Sequence, residues 1–276
     1  LSVAPVQLNV RIPEWTRKAN FTHPGRAGGP AAASPVAAPV AAPGGPAIDP
    51  AAVLDISQYL DRQGRLSWQA PPGDWTILRL GHTARERRNN AAPDTGLGLE
   101  CDKFSRAAFD FHFNKMFEKL LPALRPLAAK GLAGALIDSY EVGMQNWTAE
   151  FPQQFQRRRG YDLRKYLPAM TGRVVGSTDI SERFLWDLRR TQADMMADNY
   201  YGRFAELCRQ NGLKPHTEPY DGGPFEEMQI GSRVDVPMGE FWVGQANPLQ
   251  RSVKLAASIA HVFGKPVVGA ESFTAA

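Results

Sequence analysis

From residue 102 onward the sequence alternates stretches of helically spaced apolar residues with short apolar runs that each end in an acid. This rhythm restricts the possible folds more than any other feature. The runs are "ALIDSYEVGMQNW" (135–147), "LKPHTEPY" (213–220), "SRVDVPMGEFW" (232–242) and "KPVVGAESFT" (265–274). The first helical stretch is capped by Asp102 or Ser105, carries Phe104, Ala108, Phe111, Leu120 and Leu121, and is ended by Pro122 and Pro126. A second begins near Glu150, and a long third runs from Ser181 through Phe184, Leu188, Met195 and Phe204 to Cys208, closed by Gly212. A fourth covers 248–263. Strand and helix in repetition predict an α/β fold, parallel strands joined by helical crossovers, as a doubly wound sheet or a (β/α) barrel.

The first hundred residues read differently. Residues 1–22 contain a short β segment in "APVQLNVRIPEW". Residues 23–50 form a Pro/Ala/Gly-rich linker or insertion, since 28–47 contain only Gly, Pro, Ala, Ser and Val and offer nothing large to bury. In 51–101, "RLSWQAPPGDWTILRLGHT" predicts a hairpin: a strand ending near Trp68, a turn at "PPGD", and a second strand from Trp75 to about Gly81. Residues 102–276 then form the barrel-like part.

Composition removes several function classes. The net charge of +4 comes from 32 basic and 28 acidic residues, and the basic residues cluster in "ARERRNN" (84–90) and "QRRRGYDLRK" (156–165). Neither cluster is interleaved with a nucleic-acid motif, so both read as solvated faces and no nucleic-acid partner is expected. Cys101 and Cys208 have no zinc or disulfide spacing, and no apolar run is long enough to span a membrane. Dinucleotide, P-loop and nucleophile-elbow motifs are missing, and His82, His216 and His261 stand singly and read as structural. The chain opens on Leu1 and reads as a piece of something longer.

In a parallel barrel all strand C-termini meet at one mouth. That geometry would gather Asp138 and Glu141, Glu218, Asp235 and Glu240, and Glu271, together with Tyr140, Asn146, Trp147, Tyr220 and Trp242. Carboxylates between aromatic faces suit a sugar, whose apolar C–H faces alternate with hydroxyls. Glycoside hydrolysis commonly uses two carboxyl groups, one protonated to assist the leaving oxygen and one ionised to activate water or attack the sugar. Asp138, Tyr140, Asn146, Trp147, Tyr220 and Trp242 are therefore substrate-binding candidates.

"PPGDWTILRLGHT", "GLGLECDKFS", "LIDSYEVGMQNWT", "RRRGYDLRKYLPAMTGRVV", "HTEPY", "GEFW" and "AHVFGKPVVGAESFT" stand in the same order as motifs of glycoside hydrolase family 106, the α-L-rhamnosidases, which this chain resembles over about 50–274. The resemblance implies the middle of a longer enzyme. It implies a partial (β/α)8 TIM-type barrel preceded by the short β segment and linker, an inverting mechanism, a calcium ion, a glycan or glycoside with terminal rhamnose as substrate, and a periplasmic or extracellular location. It places the general acid at Glu141 and the general base at Glu271. If Glu141 follows the fourth barrel strand, Glu271 follows the seventh, on the facing side. An inverting pair stands roughly 6.5 to 9.5 Å apart. Glu218 and Glu240 are the calcium-ligand candidates, each also readable as a direct hydroxyl binder. Two departures are Tyr140, where the family more often has tryptophan, and the basic "ARERRNNAAPD". The rival readings are a non-catalytic carbohydrate-binding remnant and a retaining glycosidase of related architecture.

Overall fold

The computed structural model describes residues 2–5, 12–19, 47–89, 92–124, 126, 132–242 and 250–274. Most of the expected linker, up to residue 46, lies outside them. The early elements are β1 (Ser2–Pro5), α1 (Trp15–Ala19), β2 (Leu54–Asp55), β3 (Trp75–Leu78), α2 (Arg106–Leu124) and β4 (Gly134–Ile137). They are followed by α3 (Phe151–Arg159), α4 (Thr178–Met195), α5 (Arg203–Gln210), β5 (Lys214–Thr217), α6 (Glu227–Arg233), β6 (Val236–Trp242), α7 (Gln250–Val262) and β7 (Gly269–Thr274). Among the described residues no helix is long and apolar enough to cross a membrane.

The chain divides into two compact units, residues 1–84 with 149–191, and residues 85–148 with 192–276. In the first, β1 lies between β2 and β3 in an antiparallel sheet, with Val3 opposite both Leu54 and Ile77. The expected hairpin is thereby corrected. Its turn forms, and Trp68 meets Trp75 edge to face at 5.6 Å, but the ladder goes to β1 instead, while Leu66 bridges back to Leu60. Ile12, Ile48, Phe151, Phe155, Leu163, Phe184 and Leu188 are buried in this unit. Two backbone ties explain why 149–191 joins the N-terminal residues: Ile12 N donates to Gly172 O at 2.8 Å, and Ile48 N to Val174 O at 2.9 Å. Gly172 has φ +85°, and a Cβ there would lie 2.6 Å from the Trp15 ring, so only glycine fits.

The second unit holds a four-stranded sheet in the order β4-β5-β6-β7, parallel throughout. Phe109, Phe113 and Phe117, each one turn further along α2, pack with Phe204, Leu207 and Cys208 of α5 and with Ala135 and Ile137 of β4. The buried stripe differs from the one expected: Phe111 is 65% and Leu120 45% exposed. The helix also does not stop at Pro122, which sits inside its last turn. The long helix expected over 181–212 is three joined pieces, with a π-helical turn over Met196–Gly202 between α4 and α5. At Gly202 a Cβ would meet Ala197 O at 2.8 Å, so the missing side chain admits the wider turn. On β6, a Cβ at Gly239 would fall 2.7 Å from the Val253 backbone, which shows how closely α7 lies on the outer side of the sheet.

Candidate active site

Strand side chains alternate between faces. On β4 the odd positions Ala135 and Ile137 meet the helices, and on β6 Gly239 does. The even positions therefore line the opposite, inner face: Leu136 and Asp138, His216 and Glu218, Met238 and Glu240. The register arranges them in rows. Ile137 pairs with Thr217, which sets Asp138 level with Glu218, and Glu240 pairs directly with Glu271. Tyr140 N donates to Tyr220 O at 3.1 Å, so the tyrosines start the row that Glu240 and Glu271 complete. Lower on this face the His216 ring covers Gly134, where a Cβ would stand 2.7 Å from Nε2; burial holds this histidine below its usual pKa, in keeping with a structural role.

The decisive distance joins the two edges of the sheet. In a flat sheet β4 and β7, three strands apart, would be separated by about 14 Å. Here a carboxylate oxygen from each of Asp138 on β4, Glu218 on β5 and Glu271 on β7 lies within 4.8 Å of the others. The sheet is curled, and its inner face draws the acids together.

Glu218 is the buried member, at 1% exposure, and its Oε1 has no hydrogen-bond partner among the described residues. Burial first, and then the neighbouring Asp138 and Glu240 charges, raise its pKa from 4.5 to about 8. The folded state thus keeps a proton that the unfolded chain gives up. The stability linked to Glu218 is complete below pH 4.5 and lost as pH rises through about 8. In cation-free protein, denaturant midpoints should fall over that window, and Glu218→Gln should flatten the fall; an unchanged slope in the variant would contradict the assignment.

Glu141 is exposed in the loop after β4 and accepts a hydrogen bond from the Ser139 hydroxyl at 3.1 Å. Asn146 is exposed on the same loop, with its carbonyl accepting from Gln192, and Trp147 is half-buried. Tyr140 is only 5% exposed, packed edge-on against Phe225 at 5.3 Å, so it supports the loop from beneath. Tyr220 is buried, and its hydroxyl donates to Glu240 Oε2 at 3.4 Å. Trp242 lies on β6 with its side chain outside the described residues. Of the two expected metal ligands, Glu218 joins the carboxylate cluster, Glu240 sits one row along, and Asp138 and Glu271 complete the group. Sequence reasoning did not assign the residues that hold the Glu141 loop, Asp102 and Gln145 above all. They were visible in "GLGLECDKFS" and "EVGMQNWT", but an aspartate ahead of a helix reads first as a cap.

The family description "alpha-L-rhamnosidase" of glycoside hydrolase family 106 matches residues 4–276. The chain belongs to glycoside hydrolase family 106. A relative described as "Putative beta-glucuronidase", from Formosa agariphila, is 48% identical over 222 residues, which are 80% of this chain and 19% of that protein. The solved rhamnosidase from Novosphingobium sp. PP1Y superposes with a TM-score of 0.74 at 37% identity, over 83% of this chain and 23% of that one. The chain therefore spans less than a quarter of either protein's length. The family resemblance drawn from the motifs is borne out, as is the α/β architecture with a curled parallel sheet.

Proposed function

We propose that this chain forms part of the catalytic (β/α)8 barrel of an inverting α-L-rhamnosidase, with Glu141 as general acid and Glu271 as general base. The observation that supports it most is the convergence of Asp138 and Glu218, which directly follow β4 and β5, with Glu271 of β7 on one face of the curled parallel sheet, beside the loop that carries Glu141. In the proposed reaction Glu141 protonates the glycosidic oxygen as the C1–O bond breaks. Glu271 removes a proton from the water whose oxygen bonds to the opposite face of C1, and both carboxyls then exchange protons with solvent.

Three carboxylates this close cannot all stay ionised without a counter-charge. A hard cation such as calcium fits them, because the donors are oxygens and Glu218 Oε1 has no hydrogen-bond partner among the described residues. Asp138 and Glu218 would hold it, with Glu271 beside it to act on the water. When bound, it supplies positive charge and oxygen-coordination sites suited to vicinal sugar hydroxyls. With no cation present, Glu218 stays protonated at neutral pH and can donate a hydrogen bond.

The glucuronidase name of the relative favours a second reading. A glucuronide would bring another carboxylate to a face already carrying Asp138, Glu218, Glu240 and Glu271, whereas L-rhamnose is a neutral 6-deoxy sugar. Parallel assays of the full-length protein on nitrophenyl α-L-rhamnoside and nitrophenyl β-D-glucuronide decide between them. Turnover of the rhamnoside alone is expected, and turnover of the glucuronide alone would overturn the rhamnosidase reading.

A further inference from the structure

The loop after β4 has no regular secondary structure over 142–148, yet it carries Glu141, whose one hydrogen bond among the described residues comes from Ser139 two positions earlier. On the strand side the backbone is tied at Tyr140, whose N donates to Tyr220 O at 3.1 Å, but the residues that follow Glu141 have no such ladder. Their restraint comes from two other segments.

Asp102, just ahead of α2, is the hub of the first. Its Oδ1 accepts from Gln145 Nε2 and from Phe104 N (3.0 Å), and its Oδ2 accepts from the Thr148 hydroxyl at 2.6 Å. Gln145 is gripped at both ends, since its Oε1 accepts from Lys103 N at 3.2 Å. Lys103 is itself 3% exposed, paired with Glu100 at 2.5 Å, and has its ammonium 5.7 Å from the centre of the Tyr140 ring next to Glu141. The second segment is the basic run that departs from the family pattern. Arg85 donates to Met144 O, and Arg87 Nε donates to Val142 O at 3.4 Å. Between those carbonyls Gly143 turns the backbone at φ +78°, and a Cβ there would stand 3.2 Å from Arg85 Nη1.

We propose that Asp102 and Gln145, backed by Arg85 and Arg87, are positioning residues for general-acid catalysis: they fix the loop so that Glu141 meets the leaving oxygen. This rests on the reading of Glu141 as the acid. A charge-assisted anchor of this kind is stronger than a neutral one. Misplacing a catalytic group by about 1 Å costs on the order of 100-fold in rate. The loss has a signature that general destabilisation lacks. A leaving group that departs without a proton does not need Glu141, so disturbing the anchor harms poor leaving groups selectively.

The test uses full-length protein, Gln145→Ala, and the near-isosteric Thr148→Val, which removes one anchor bond while keeping the shape of the site. Each is assayed on an alkyl α-L-rhamnoside and on dinitrophenyl α-L-rhamnoside, beside Glu141→Gln. Gln145→Ala is expected to lower kcat on the alkyl substrate about 10- to 100-fold, with the dinitrophenyl rate within about 3-fold of wild type and KM little changed. Thr148→Val should show the same pattern, more weakly. Equal losses on both substrates, or no loss on either, would overturn the proposal. If Glu141→Gln shows no selective loss, the acid assignment itself fails; if it does and Gln145→Ala does not, only the anchoring role fails.

Discussion

Glu141→Gln in the full-length protein is expected to lower turnover of rhamnosides with poor leaving groups by about 10²- to 10⁴-fold, the range over which a positioned acid or base contributes. Glu271→Gln should fall by a similar factor, for a different reason. Glutamine keeps the shape of glutamate but neither releases a proton at Glu141 nor accepts one at Glu271. An activated aryl leaving group separates the roles, because bond breaking then needs little proton assistance while the water must still be deprotonated. The aryl substrate should restore much of the Glu141→Gln rate and little of the Glu271→Gln rate. Glu141 is exposed and Glu271 solvent-accessible, so neither exchange disturbs a packed core, and denaturant midpoints should stay close to wild type. Near wild-type turnover in either variant would remove that residue from the mechanism.

Removing divalent cations carries the second large expected effect. With Asp138, Glu218 and Glu271 within 4.8 Å, an empty cluster keeps its proton on Glu218, and bringing in calcium must displace it. Exhaustive chelation is expected to cut kcat/KM by roughly 100-fold, a loss of about 2.7 kcal/mol of charge stabilisation. Added calcium should restore it better than magnesium, which demands a tighter octahedral shell. Asp138→Asn and Glu218→Gln each remove ligand charge and should raise the calcium concentration for half-recovery by about 10-fold or more. Calorimetric titration reads the same affinity without any activity. Full activity after chelation, with no heat of calcium binding, would leave these acids as direct hydroxyl binders.

The helix and strand order was legible because the strands read as short runs between amphipathic helices, one face of each packed on a helix. Asp138 and Glu218 were legible because each sits where such a run stops, whereas Asp235, expected beside them, instead precedes β6 and pairs with Arg209 at 2.5 Å. Partnership across long sequence gaps was harder to read. Trp75 follows a turn signal and so suggested a hairpin with Trp68, whereas β1, some seventy residues earlier, supplies the actual partner. On α2 the phenylalanines at 109, 111, 113 and 117 do not share one stripe, and spacing alone did not show that 109, 113 and 117 would be the buried set. Glu218 and Glu240 looked equivalent as strand-end acids. Only the register and the curl of the sheet set Glu218 between Asp138 and Glu271 and moved Glu240 into the row of Tyr220. Asp102 was read as a helix cap, and it does accept from Phe104 N, but its remaining acceptor capacity goes to a loop some forty residues further on.

If Glu141 and Glu271 direct water onto the far face of C1, hydrolysis inverts the anomeric centre, and the stereochemistry of the first-formed sugar reads this out. Proton NMR of full-length protein with an α-L-rhamnoside, followed from the first minutes before mutarotation, reports which anomer appears first. β-L-Rhamnose should appear first, with the α anomer growing in only as the free sugar equilibrates. Initial release of α-L-rhamnose would contradict it and would make one of these carboxylates a nucleophile.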